Sequence, residues 1–270
     1  MNSASIGPVR FGDGQLALIA GPCMAESLDM CLEVARAMAD ICRRLGIGYV
    51  FKASYDKANR SSAEGYRGPG IETGLKWLDT IRQKVGVPVL SDIHDVAQAR
   101  PAGEVLDCVQ IPAFLCRQTD LLIAAAQTGK CINVKKGQFM APVDMRLAVE
   151  KVASTGNTNV LLTERGTFFG YNRLVTDFRS IPQMRPFAPV VFDATHSVQE
   201  PGGLGTASGG RREYAPLLAG AALAAGADAL FIETHPDVAN AKSDAASQIP
   251  LGEMEAVLQR CVRIFAAART

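Results

Sequence analysis

The sequence predicts an α/β fold in which eight parallel strands alternate with eight helices and close into a TIM-type (β/α)8 barrel. Three observations carry that prediction. Short apolar runs rich in Val, Ile and Leu alternate eight times with amphipathic segments of helical length. The runs are apolar almost throughout, as strands buried on both faces require. Residues able to do chemistry follow every run, and barrels of this kind place their active sites at the C-terminal ends of the strands. A chain of 270 residues is the ordinary length for one such domain, and no linker or charge block divides it, so 1–270 is expected to be a single barrel. An open doubly wound sheet is the competing arrangement, but no Gly-x-Gly-x-x-Gly follows the first strand.

Taken in order, residues 1–15 are expected to cap the barrel floor, with a small hairpin over Ile6–Gln15 that includes Gly12-Asp13-Gly14. The strands are expected at Leu16–Gly21, Tyr49–Ala53, Pro88–Ile93, Cys108–Ala113, Cys131–Val134, Val160–Thr163, Pro189–Phe192 and Ala229–Ile232. The helices that follow them are expected at 27–45, 71–85, 95–102, 118–128, 144–155, 176–186, 212–225 and 251–268. Gly46, Gly86, Gly129, Gly156 and Gly226 stand just past five of these helices, where a C-terminal cap favours a left-handed residue.

The groups beyond the strands are of two kinds. Lys52, Lys57, Arg60, Lys135, Lys136 and Arg165 are cations, more than one monophosphate needs. They suggest two anionic substrates, or one that carries both phosphate and carboxylate, since such oxygens accept charge-assisted hydrogen bonds. Cys23, His94, His196, His235, Glu233 and Asp244 are potential ligands of a borderline divalent metal. All three His of the chain fall at strand ends, which weighs against their being ordinary rim residues. Asp92 and Gln110 complete the polar rim. Cys31, Cys42, Cys108, Cys131 and Cys261 read as packing, and so does Cys116. The glycine-rich stretch 202–210 fits either a phosphate-binding turn or a lid, and it matches no Walker motif.

Composition removes several classes. A net charge of +1 with no broadly basic face argues against nucleic acid as a partner. Seven Cys without Cys-x-x-Cys spacing argue against a disulfide framework. Met1–Gln15 is polar, and no apolar span reaches 18 residues, so a soluble cytoplasmic protein without a membrane partner is expected.

Several ordered motifs together resemble one family over nearly the whole chain. They are Lys57-Ala58-Asn59-Arg60-Ser61-Ser62, Gln110-Ile111-Pro112-Ala113-Phe114-Leu115, Asn133-Val134-Lys135-Lys136-Gly137-Gln138-Phe139, Asp193-Ala194-Thr195-His196-Ser197-Val198-Gln199, Ala207-Ser208-Gly209-Gly210-Arg211-Arg212 and Glu233-Thr234-His235-Pro236. The chain is similar to the 3-deoxy-D-manno-octulosonate 8-phosphate synthases, barrel enzymes that condense phosphoenolpyruvate with arabinose 5-phosphate and release phosphate. Their product feeds the lipopolysaccharide core. The resemblance implies that Lys57, Lys135 and Arg165 hold phosphoenolpyruvate, with Gln110 and Ala113 beside it. It implies that Asn59, Arg60 and Ser61 meet the aldose phosphate, and Lys52 and Asp92 are counted with the substrate-binding set. It further implies a homotetramer in which Arg117, in Phe114-Leu115-Cys116-Arg117-Gln118, reaches a neighbouring subunit's sugar phosphate.

Metal-independent members of that family have Asn where this chain has Cys23, so the chain resembles the metal-dependent branch. Cys23, His196, Glu233 and Asp244 are then the implied ligands of one divalent ion such as Zn, Fe(II) or Mn. Lys57, Lys135, His196 and Asp244 are the implied catalytic residues; whether His196 and Asp244 ligate the ion or move protons stays open. Gly65 and Tyr66, where other members tend to have Ser and Phe, are small departures. Two related activities remain as alternatives: a synthase acting on erythrose 4-phosphate, against which Lys57-Ala58-Asn59-Arg60 argues, and a metal-dependent aldolase or lyase. A sugar-phosphate sensor has little use for both a cation cluster and a set of metal-type ligands.

Overall fold

The computed structural model describes residues 2–60, 64–168, 171–203 and 208–269. Eight strands form one closed parallel ring: β1 (Ala17–Gly21), β2 (Gly48–Lys52), β3 (Val89–Asp92), β4 (Cys108–Ile111), β5 (Cys131–Lys135), β6 (Val160–Glu164), β7 (Val190–Asp193) and β8 (Ala229–His235). Each pairs with the next, and β8 returns to β1 with Ala229 opposite Ala17, so the predicted barrel is closed and leaves no free edge. All eight strands are buried almost throughout, which explains why their sequences are apolar without alternation.

The helices are α1 (Leu28–Leu45), α2 (Ile71–Val85), α3 (Val96–Val105), α4 (Thr119–Ala126), α5 (Met145–Ala153), α6 (Ser180–Met184), α7 (Ala215–Ala224) and α8 (Met254–Ala267). Ser27 caps α1 by accepting from the Met30 N–H at 3.2 Å. The five glycines expected after helices all take positive φ, from 67° at Gly46 to 100° at Gly226. Helix α6 is shorter than the expected 176–186. Asp177 turns the chain locally by accepting from the Arg179 N–H at 3.0 Å, and Pro186 limits the helix at its far end. Strand β8 is longer than expected, because Thr234 and His235 pair with Ile249 and Pro250 from a returning loop.

The N-terminal hairpin exists but turns elsewhere. Ala4–Ile6 pairs with Val9–Phe11 around Gly7, at φ 54°, while Gly12-Asp13-Gly14 instead leads the chain into β1. Its inward residues Ala4, Ile6, Val9 and Phe11 join Ile19, Val50, Leu90, Leu161, Val191 and Phe231 in one apolar cluster inside the ring. The Asn159 amide clips the hairpin to the barrel through both the N–H and the C=O of Ser5, at 2.9 and 2.8 Å. A second and larger cluster lies between the strands and the helices. The cysteines expected to serve as packing are all buried.

Candidate active site

Ends of the strands β1 to β8 bring the predicted groups to one rim. Lys52, Lys57, Asn59, Asp92, Gln110, Ala113, Lys135, Arg165 and His196 line one cavity. It adjoins a larger cavity lined by Arg60, Lys242, Ser243 and Asp244, and Lys57, Asn59, Phe114, Gln138, Arg165 and His196 face both. Below them the ring of Phe231 divides the barrel interior: the Lys135 ammonium sits 3.8 Å and that of Lys52 5.6 Å from its centre.

The cations are held by buried acceptors. Lys52 Nζ donates to Glu233 Oε1 and to the Cys23 carbonyl, both at 3.0 Å. Lys135 Nζ donates to Asp193 Oδ2 at 2.5 Å, and the same oxygen lies 2.7 Å from His196 Nδ1. Burial opposes the Asp193 charge, but His196 and Lys135 outweigh it and hold this carboxyl well below the usual range. Burial likewise opposes the Lys57 charge, and Cys23, Glu233 and Asp92 more than offset it, so the ammonium binds its proton more tightly than usual. Lys57 Nζ donates to Ser54 Oγ at 3.0 Å, Ser54 Oγ to Asp92 Oδ1 at 2.5 Å, and His94 Nε2 meets Asp92 Oδ2 at 2.9 Å.

Cys23 Sγ, Glu233 and Asp244 bring ligand atoms within 4.8 Å of one another. A close approach of β1 to β2 places Cys23, since a Cβ on Gly21 would lie 2.0 Å from the Lys52 carbonyl oxygen. The Cys23 thiol, with one proton to donate, has both Ser243 Oγ at 3.1 Å and Asp244 Oδ2 at 3.2 Å within reach. Burial, then Asp244 and Glu233, push this thiol well above its ordinary value. Burial opposes the Glu233 charge, but His196, Lys52 and Lys57 outweigh it and hold the carboxyl at about 2; its Oε2 is buried without a partner among the described residues. A thiol crowded by two carboxylates, one with an unmet oxygen, fits a divalent cation, which deprotonates a coordinating thiol outright. Asp244 is held at φ 50°, a strained conformation for a residue other than glycine.

The other expected positions divide. His196 Nε2 stands 3.7 Å from both Glu233 Oε1 and Asp244 Oδ2, adjacent to the triad. His94 is engaged with Asp92, and His235 Nε2 faces Glu26 at 3.7 Å; neither joins the cluster. Lys136 is fully buried 3.5 Å from Glu164 and lines neither cavity. Arg60 donates to the Tyr66 and Lys242 carbonyls and to Ser243 Oγ, tying its loop to that of Asp244. Arg117 is exposed and lines neither cavity. Ser61 lies outside the described residues, as do 204–207 of the glycine-rich stretch; its flanks Gln199–Glu200 and Gly209–Gly210 pair antiparallel.

The sequence pointed to Asp193 and Ser54 but gave neither a role: Asp193 orients both Lys135 and His196, and Ser54 links Lys57 to Asp92. Asp193 ends a strand three residues before His196, and that spacing was the available signal. Gln138 and Gln199, which stand in the quoted motifs, were likewise given no role; Gln199 Oε1 accepts from Arg165 Nη2 at 2.9 Å.

The DAHP synthetase I family model matches residues 2–267. The chain is 60% identical to the 2-dehydro-3-deoxyphosphooctonate aldolase of Granulibacter bethesdensis over 258 residues, covering 95% of this chain and 92% of the relative. It is 57% identical to the protein of that name from Cyanothece sp., over 96% of both chains. With that of Syntrophotalea carbinolica it shares 54% identity over 99% of this chain and 98% of the relative.

Proposed function

The chain belongs to the DAHP synthetase I family, and we propose that it condenses phosphoenolpyruvate with D-arabinose 5-phosphate and water. The products are 3-deoxy-D-manno-octulosonate 8-phosphate and inorganic phosphate, which makes the protein a transferase of lipopolysaccharide core biosynthesis. The observation that carries this reading is the pair of joined cavities. One is lined by Lys52, Lys57, Lys135 and Arg165, and the other opens toward Arg60, as two anionic substrates require. Long full-length relatives named for the same octulosonate product support it.

Phosphoenolpyruvate presents phosphate and carboxylate oxygens that only accept hydrogen bonds, and Lys57, Lys135 and Arg165 only donate. Gln110 and Ala113 flank this end of the cavity, with Lys52 and Asp92 at its wall. Asn59, Arg60 and Ser61 take the aldose phosphate. C3 of phosphoenolpyruvate attacks the aldehyde carbon, water adds at C2, and phosphate leaves with cleavage of its C–O bond. Fixed cations stabilise the charge that develops at C2 without rearranging. Asp193 fixes the His196 ring at Nδ1, so that Nε2 faces Glu233 and Asp244; His196 and Asp244 handle protons at the reacting centre. Cys23, Glu233 and Asp244, with His196 beside them, would hold one divalent ion such as Zn, Fe(II) or Mn. Such an ion supplies Lewis-acid polarisation of an oxygen when bound.

The place of work is the cytoplasm; none of the described helices is long and apolar enough to cross a membrane. The assembly is a homotetramer with Arg117 at a subunit contact, supported by the exposed Phe114, three residues before it, and by the exposed Phe139 and Val143, at 57%, 60% and 51% exposure. Light scattering of the purified protein tests it, and a monomer overturns it.

Phosphate release from phosphoenolpyruvate, on metal-stripped protein with divalent ions returned singly, tests the reaction. Release is expected only with arabinose 5-phosphate and an added ion. Preference for erythrose 4-phosphate, or release without any aldose, overturns the substrate assignment. Full activity after exhaustive chelation overturns the metal.

A further inference from the structure

Gln138 and Arg165 line both cavities, and each carries one buried polar atom with no partner among the described residues: Arg165 Nη1, a donor, and Gln138 Oε1, an acceptor. Gln138 is 8% exposed and Arg165 5%, so neither atom is turned to bulk water. A buried amide oxygen left unmet is unfavourable, and a native site retains one where a ligand completes it.

Apart from the Asn59 amide, which lines both cavities at the sugar-phosphate end, the side-chain acceptors of Asp92, Gln110 and Gln199 are already engaged. Asp92 takes Ser54 and His94, Gln110 Oε1 takes Asn133 at 3.1 Å, and Gln199 Oε1 takes Arg165. Asp244 and Glu233 belong to the candidate metal triad. The rest of the wall is rich in lysine and arginine, which donate only. Phosphoenolpyruvate, which carries no hydroxyl, has nothing to give an amide oxygen. A polyhydroxy aldose phosphate does, because each hydroxyl brings a proton that a buried site must receive.

We propose that Gln138 is a specificity-determining residue that accepts a hydrogen bond from a hydroxyl of the aldose phosphate where the two cavities meet. Its place on both linings puts it at the boundary between the phosphoenolpyruvate and sugar sites. The proposal rests on the aldose-phosphate reading above and deepens it by naming the group that reads the hydroxyl. Sites built to bond a substrate hydroxyl reject analogues that lack it, which is how one amide sets specificity.

The test compares the unmodified protein, Gln138→Met and Gln138→Asn, each with its divalent ion. Arabinose 5-phosphate and its singly deoxygenated analogues serve as co-substrates for phosphate release. The unmodified protein is expected to lose about tenfold or more in kcat/KM on one deoxy analogue. Gln138→Met is expected to lose about as much on arabinose 5-phosphate and to discriminate no further against that analogue, while KM for phosphoenolpyruvate stays within about twofold. Gln138→Asn, which keeps the amide but withdraws it, shows the same pattern and replaces the Met variant if that one fails to fold. An unchanged KM for the aldose in the variants, or equal losses toward both substrates, overturns the role of Gln138. Absence of turnover by the unmodified protein with arabinose 5-phosphate overturns the underlying reaction instead.

Discussion

At its lower end the barrel interior holds Ile6, Phe11, Val50, Leu161 and Phe231, all fully buried and apolar. At its upper end the same strands carry Lys52, Asp92, Lys135, Glu164 and Asp193, also buried but charged. The lower end is closed by the chain's own hairpin and needs nothing further. The upper end keeps His94 Nδ1, Gln138 Oε1, Arg165 Nη1 and Glu233 Oε2 without partners among the described residues, and it opens into two cavities. Phe231 belongs to both: it packs into the lower cluster while its ring supports the Lys135 ammonium. The difference teaches where this fold places stability and where it accepts unmet polar groups for binding.

Removing the seal at the lower end is expected to have the largest effect. Phe11→Ala is expected to lower unfolding free energy by about 3–5 kcal/mol in urea titration, with KM for both substrates unchanged. A shift in KM would show that the two ends are coupled. At the upper end, Lys135→Met removes a cation at the reacting centre and is expected to lower kcat/KM for phosphate release about 10²–10³-fold. Retained activity would make the upper charges structural, like the apolar cluster beneath them.

The smallest effect sharpens the comparison through pH. Burial opposes the His94 charge, but the hydrogen bond and charge of Asp92 outweigh it and raise the imidazole above its ordinary value. That contribution is fully present below about pH 6.5 and is lost as pH rises through the raised folded-state value. Asp92 is held well below its ordinary value; burial opposes its charge, and the His94 hydrogen bond with the His94, Lys57 and Lys52 charges outweighs it. Its contribution is present above about pH 4 and is lost as pH falls further. His94→Gln is therefore expected to flatten the melting temperature above pH 6.5, where the unmodified protein falls by about 2–4 °C. A steeper decline in the variant would contradict the pair.

Much of this was legible in the chain. Burial of both strand faces writes itself as unbroken apolar runs, and left-handed caps write themselves as Gly46, Gly86, Gly129, Gly156 and Gly226, so fold and element order followed from local pattern. The groups at strand ends were legible for the same reason. Each sits at a position the strand itself defines, although Lys136 turned out to face Glu164 rather than a cavity.

Tertiary structure alone decided the rest. Which residues meet depends on ring closure: Cys23 and Asp244, 221 residues apart, come within 3.2 Å because β8 pairs with β1 and the loop after β8 returns. The same loop lengthened β8 through a partner strand that no local pattern announces. The hairpin turned at Gly7 because its alternate residues had to fill the barrel floor. The unmet oxygen of Gln138 is the clearest case. An amide's type is written in the sequence, but whether its partners are already taken is a property of all its neighbours together.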